Sequence, residues 1–322
     1  MIYSRYLFVI VVASAFSNGA WAQNYPSKTV RIVVPYPPGG GTDIVARPLA
    51  QRLTEGLGQQ VIVENRTGAG GNVGAEIAAR APADGYTLFQ ISMTHALNVS
   101  LYRSLSYDLA RDFAPVTQLA STPSMVVVHP SLPVKSIGEL VRLAKSKPGA
   151  INYASAGTGT PTFLAAELFK GYARIDMTHV PYKGGAEAMT SVISGETSVY
   201  FASLGIALPF VRQGTLRALA VTTTKRLPFV PQYPTVAELG YPAYQSGNWY
   251  GVMVPAKTPQ ETIVTIRDAI IAALNNPNLS KRLADLGFVS IGDTSEEFAV
   301  HIKTEIAALA KIVTAFNLSA GY

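Results

Sequence analysis

At 322 residues the chain has the length of about two domains. Apolar residues make up 48% and charged residues 14%, too hydrophobic for disorder and too lightly charged to coat nucleic acid. There is no cysteine, which excludes disulfides, thiolate metal sites and cysteine nucleophiles, and 26 basic against 20 acidic residues leave a net charge of +6 that mildly favours anionic ligands.

The chain opens as an export signal. Arg5 precedes an apolar run over 6–16 that is too short to span a bilayer, and Ala20-Trp21-Ala22 has the small-x-small form of a cleavage site. Residues 1–22 are therefore expected to be a signal peptide cut after Ala22, leaving an exported mature chain from Gln23. No later stretch reaches the roughly 18 apolar residues of a membrane span.

Short β-branched runs then alternate with helical patterns, at 29–34, 60–64, 87–91, 124–128, 152–154, 198–202, 217–222 and 251–254. Such alternation predicts βαβ units with parallel sheets. Several helix starts are marked: Ser136-Ile-Gly-Glu139 and Thr258-Pro-Gln-Glu261 read as capping boxes, the second with Pro259 at the first helical position. Thr160-Pro161 followed by Gly171 gives a cap, a first-turn proline and a terminating glycine. Loop-rich seams near 115–123 and 231–247 divide the chain into residues 24–123 plus 247–322 as one domain and 124–246 as the other. Two α/β domains joined by two crossings form a hinge, with a cleft at the carboxyl ends of the strands.

Two glycine-rich loops fall at that cleft. Tyr36-Pro-Pro-Gly39-Gly40-Gly41-Thr42-Asp43 joins the first strand to an amphipathic helix, and three glycines there let backbone N–H groups face an anion at the positive end of the helix. A tight turn capped by Thr42, with Asp43 complementing the dipole, is the alternative. Ser155-Ala-Gly157-Thr158-Gly159-Thr160 repeats the device in the second domain. Two helix N-termini facing one cleft would grip a small carboxylate without arginine, with the hydroxyls of Ser155, Thr158 and Thr160 as further donors. Asp43 would repel a bare carboxylate if it faced the cleft, and so would discriminate amino acids from plain di- or tricarboxylates.

Other patterns carry less. Gly68-Ala-Gly70-Gly71-Asn-Val-Gly74 is one residue out of register for a dinucleotide fingerprint and reads as close strand–helix packing. Tyr153-Ala-Ser155-Ala-Gly157 lacks the first glycine of a nucleophile elbow, and His179 nearby has no evident carboxylate partner. The four histidines are too scattered for a metal site. Thr94 and His95 follow a strand and could line the cleft, and Tyr182-Lys183 could add a wall to it; a plain strand end and a solvated turn are the alternatives.

Pro-Tyr36-Pro-Pro-Gly-Gly-Gly-Thr-Asp43, Val63-Glu64-Asn65-Arg66-Thr-Gly-Ala-Gly-Gly-Asn72, Asp84-Gly85-Tyr86-Thr87, Val180-Pro-Tyr182-Lys-Gly-Gly185 and Trp249-Tyr250-Gly251, in this order, resemble the Bug (TctC-type) extracytoplasmic solute receptors of tripartite tricarboxylate transporters. The resemblance spans the mature chain. It implies a type II periplasmic-binding-protein fold, two α/β domains closing on a small organic carboxylate or amino acid, with a permease of that transporter type as partner and no cofactor, metal, catalysis or nucleic acid. It places the ligand on Tyr36, Gly39, Gly40, Thr42 and Asp43 from one side, and on Ser155, Gly157, Thr158, Gly159 and Thr160 from the other. The chain departs from the family pattern at Phe163, where histidine is frequent and packing behind the second loop would change. It departs again at Ser198, where aspartate is frequent and the strand end facing the cleft would change. A monomeric periplasmic receptor is expected; presentation of ligand to a membrane sensor, or a secreted enzyme on the same fold, are the alternatives.

Overall fold

A computed structural model describes residues 25–316 and 318, so the expected signal peptide and its cleavage point lie outside the described residues. The first lobe opens with β1 (Val30–Val34), α1 (Gly41–Leu57), β2 (Val61–Asn65), α2 (Asn72–Ala79), β3 (Thr87–Ser92) and α3 (Met93–Leu101). Here β1 lies between β2 and β3, parallel to both, as βα units require. β4 (Phe113–Val128) leads into α4 (Ile137–Ser146), β5 (Asn152–Ser155), α5 (Pro161–Ala173), β6 (Thr178–Pro181), α6 (Gly185–Ile193), β7 (Val199–Ser203), α7 (Leu204–Arg212) and β8 (Arg217–Val221). In that second lobe β5 is parallel to β6 and β7. The chain returns through β9 (Gly247–Pro255) and ends with α8 (Gln260–Leu274), α9 (Pro277–Asp285), β10 (Val289–Ser290) and α10 (Ser295–Ala315).

The sheets are mixed rather than wholly parallel. β9 runs antiparallel to both β3 and β4, and β4 is antiparallel to β7, β8 and β10. An antiparallel neighbour needs no crossover helix and has the same apolar pattern as a parallel one, so alternation alone could not separate them. β4 is also longer than the expected 124–128. Its 16 residues pair with β9 as far as Pro123 and with β7 from Ser124, so one strand serves both lobes.

Helix boundaries follow the local chemistry with two exceptions. Ser136 caps α4 through the Glu139 N–H at 3.2 Å, and Thr160 caps α5 with Pro161 in its first turn. Thr258, expected to cap α8, instead donates its hydroxyl to the Pro255 carbonyl at 2.7 Å to close the turn after β9, and Pro259 stands at the N-cap. Gly171, expected to end α5, lies inside it; the helix runs on to Ala173 and ends at Arg174 in the left-handed conformation, while the Phe316 ring seats on Gly171, where a side chain would collide.

Val30, Ile32 and Val34 of β1 pack on Val45, Leu49 and Leu53 of α1 and on Ile263, Ile266 and Ile270 of α8 to form the first lobe's core. A second cluster runs through both lobes, from Phe89 and Phe298 to Phe169 and Phe201, so the hinge side is packed. The two crossings are tied to each other by Thr222, which is fully buried. Its hydroxyl accepts from the Ser124 N–H at 2.8 Å and donates to the Ser246 carbonyl at 2.5 Å, and its carbonyl accepts from the Ser246 N–H at 3.0 Å.

Candidate functional site

Five helices begin at one cavity of about 50 Å³ between the lobes. Gly40, Gly41 and Thr42 bring the start of α1, Ser92 and Thr94 that of α3, Thr160 and Thr162 that of α5, Gly185 that of α6, and Ser203 that of α7. The first N–H groups of each helix have no partner within it, and each N-terminus carries about half a positive charge. Among the described residues none that lines this cavity is charged. The field therefore comes from backbone dipoles alone, an arrangement suited to an anion.

The side chains support the same chemistry. Ser92 Oγ, the Tyr200 hydroxyl, Ser203 Oγ and Asn248 Oδ1 are buried at the cavity and make no hydrogen bond of good geometry among the described residues, although Tyr36 stands beside Ser92, Thr162 beside Tyr200, and Tyr250 beside Ser203 and the Asn248 amide. Buried polar atoms without partners are uncommon, and four around one cavity point to a ligand that satisfies them. Burial pushes the Tyr36 and Tyr200 phenols above their ordinary range and lifts Tyr250 to about 12, against the pull of Asn248 and Ser203 beside it. All three remain neutral hydroxyls near pH 7. Tyr250 also closes on α1: a Cβ on Gly41 would run into its hydroxyl and lie 3.8 Å from Ser203 Oγ across the cleft.

A second, outer chamber of about 690 Å³ adjoins the first at Tyr36 and Ala156, which line both. Its walls are residues 67–71 on one side and Gly157, Thr158 and Tyr182 on the other. Tyr36 is fixed at the neck by its hydroxyl, which donates to the Gly70 carbonyl at 3.0 Å. The lobes touch around these chambers. A Cβ placed on Gly39 would lie 3.6 Å from that of Ala186, and one on Gly184 would lie 3.1 Å from Pro37.

Of the residues expected at the site, Tyr36, Gly40, Thr42, Thr94 and Thr160 line the inner cavity, and Gly157, Thr158 and Tyr182 join Tyr36 in the outer chamber. Gly39, Asp43, His95, Ser155 and Gly159 line neither. The Asp43 carboxylate is taken up within its own lobe, accepting from the Gly39 N–H at 3.0 Å, from Arg47 at 2.8 Å and from Asn65 at 3.1 Å. Burial works against its charge, but those donors hold its carboxyl below the usual value. It braces the glycine loop through the Gly39 N–H. The His95 ring accepts from the Ser92 N–H at 3.2 Å and reaches the Gly71 carbonyl at 3.4 Å, behind the wall, where burial lowers it to about 4.

Ser155 and His179, weighed together in the sequence as a nucleophile elbow, form a serine–histidine hydrogen bond of 2.7 Å. The fully buried Ser155 hydroxyl also accepts from the Gly157 N–H at 3.1 Å, so the pair braces the second loop. Phe163 packs on His179 behind that loop, with ring centroids 4.9 Å apart. Ser198, expected at the cleft, precedes β7 at its far end, where its N–H donates to Asn152 at 2.8 Å; the cleft end of that strand is Ser203. Gly159 faces the other lobe, its φ of +80° and the Asn98 and Leu101 side chains under 3 Å from a Cβ there leaving no room for one.

The residues that sequence reasoning missed are Ser92, Thr162, Tyr200, Ser203, Asn248 and Tyr250. A serine closing an apolar strand directly before a helix, as in Ser92-Met93 and Ser203-Leu204, was the available signal for two of them.

The sequence model of the tripartite tricarboxylate transporter family receptor, TctC, matches residues 45–318. Over 307 residues the chain is 33% identical to the protein BugT of Bordetella pertussis, covering 95% of this chain and 94% of that one. A Rhodopseudomonas palustris protein solved with adipate matches at a TM-score of 0.89 and 35% identity, over 92% of this chain and 99% of the other. MatC from the same organism, solved with bound malate, matches at 0.86 and 30%, over 90% and 100%.

Proposed function

The chain belongs to the tripartite tricarboxylate transporter receptor family, and from that premise we propose that it captures a small organic carboxylate between its lobes and presents it, closed, to the membrane subunits of such a transporter. The observation that carries this reading is the uncharged inner cavity, where five helix N-termini and four buried unpartnered polar atoms converge. Hydrogen bonds from neutral donors to a charged acceptor are among the stronger ones, and exclusion of water by the closed lobes strengthens them. The carboxylates in the R. palustris neighbours support the ligand class.

The finer assignments belong to the same proposal. The lobes divide at 123/124 and 246/247, where β4 changes partners and β9 begins, and they turn about the Thr222 tie. The receptor works in the periplasm as a monomer after removal of residues 1–22. No helix among the described residues is long and apolar enough to cross a membrane, and no three His, Asp or Glu among them gather to hold a metal. The role is binding without chemistry.

A thermal-shift screen of the mature chain against mono-, di- and tricarboxylates tests the reading. A ligand at a hundred times its dissociation constant adds about 2.7 kcal/mol, a shift of roughly 4 °C at this size. A flat response from folded protein, refolded to remove any copurified ligand, would refute it.

A further inference from the structure

We propose that Asn248 reads a hydroxyl beside the ligand's carboxylate, so that the receptor takes 2-hydroxycarboxylates ahead of their deoxy analogues. The proposal rests on the carboxylate reading above and narrows it. A cavity of about 50 Å³ has room for at most roughly five non-hydrogen atoms, at one water-sized sphere per 10–15 Å³. That is a carboxylate, its α-carbon and one substituent. The remainder of a longer ligand passes the Tyr36–Ala156 neck into the outer chamber.

The substituent is specified by what the walls lack. Three of the four buried unpartnered atoms are hydroxyls, on Ser92, Tyr200 and Ser203, and each can donate to a carboxylate. The fourth, Asn248 Oδ1, only accepts. A carboxylate offers lone pairs alone, so a plain acid sets acceptor against acceptor there and leaves the amide oxygen buried and unserved. A 2-hydroxyl donates to it while its own lone pairs take a wall hydroxyl. An ammonium is also a donor, but here it would lie among five positive helix ends with no carboxylate lining the cavity among the described residues. Two neighbours hold Asn248 in place for this role, since β9 pairs it with Thr122 on the hinge strand and its amide lies against Tyr250, another wall residue.

Calorimetric titration of refolded protein with matched acids tests this: lactate, propionate and alanine; malate, succinate and aspartate; 2-hydroxyglutarate, glutarate and glutamate. The expected result is binding of a hydroxy acid at least tenfold tighter than its deoxy and amino partners, because a site built around a substrate hydroxyl rejects the analogue without it. Asn248→Ala should reduce that ratio to near one, and Asn248→Ser, which keeps an acceptor, should preserve part of it and carries the test if the alanine variant fails to fold. Deoxy acids bound equally well, amino acids bound ahead, or a preference that survives Asn248→Ala would each overturn the proposal and leave the carboxylate reading standing. Failure of every acid to bind would overturn both.

Discussion

Tyr200→Phe removes one oxygen from the cavity wall and nothing else. The ring is fully buried in the second lobe's core, and its hydroxyl makes no hydrogen bond of good geometry among the described residues, with Thr162 the side chain beside it. In the ligand-free protein that hydroxyl is a desolvated group without return, a burden of about 1–3 kcal/mol, so its loss should leave stability unchanged or raise it. With a carboxylate bound, the same hydroxyl donates to a charged acceptor, worth about 1.5–3 kcal/mol, or roughly ten- to a hundredfold in affinity at 1.4 kcal/mol per decade. The variant should thus bind more weakly while folding at least as well, a pairing that a purely structural tyrosine would not show. Urea unfolding without ligand and calorimetric titration with the acid found by thermal shift measure the two halves. An affinity within twofold of the parent, together with a fold weakened by more than about 1 kcal/mol, would refute the assignment of Tyr200 to the ligand.

Gly41→Ala should abolish binding in a folded protein, since its methyl meets the Tyr250 hydroxyl at the cavity; Gly40→Ala, whose methyl lies 3.7 Å from the Pro37 carbonyl oxygen, is the control, and equal affinities would contradict the geometry. Asp43→Asn should lower stability by about 1–3 kcal/mol by loosening the bonds to Arg47, Asn65 and Gly39, with no exchange of amino acids for plain acids in the ligand panel. His95 and His179 are both held near 4 by burial, below the ~6.5 of an unfolded histidine. The unfolded chain therefore binds protons first, and stability that is full above pH ~6.5 should decline towards pH 4; a denaturation midpoint constant across that window would count against both. Thr222→Val strips partners from Ser124 and Ser246 at the hinge and should change ligand-dependent compaction in solution scattering, which an identical scattering response would exclude.

The parts of this site that could be read from the chain share one property: their signal is local. Three glycines before an amphipathic helix, or Thr160-Pro161 after a short strand, announce a helix N-terminus because caps and first-turn prolines act on neighbouring residues. The starts of α3 and α7 were marked only by the serine on which each preceding strand ends. Each follows its strand without a loop, so Ser92 and Ser203 read as strand ends. Tyr200 was hidden for another reason. At a strand position an apolar pattern counts its ring as core, which it is, while the use of its hydroxyl depends on what the other lobe brings opposite. Asn248 and Tyr250 reach the cavity, and Tyr250 reaches Gly41, only because β9 returns from the second lobe to lie between β3 and β4, a pairing that period-two alternation does not encode.

The same distinction explains why Asp43 and His95, expected at the cleft, line neither cavity. A polar residue beside a binding loop has two ways to be useful, touching the ligand or holding the loop, and residue type does not separate them. Counting partners does. Asp43 has three donors on its carboxylate, and His95 has backbone groups at both ring nitrogens, so neither has bonding capacity aimed at a ligand. Tyr200, Ser203 and Asn248 each keep a buried, unserved atom at the cavity. Since an unserved buried atom destabilises the ligand-free fold, its presence at four positions around one cavity is explained by the bound state, and the groups to mutate first are those that the empty protein would be more stable without.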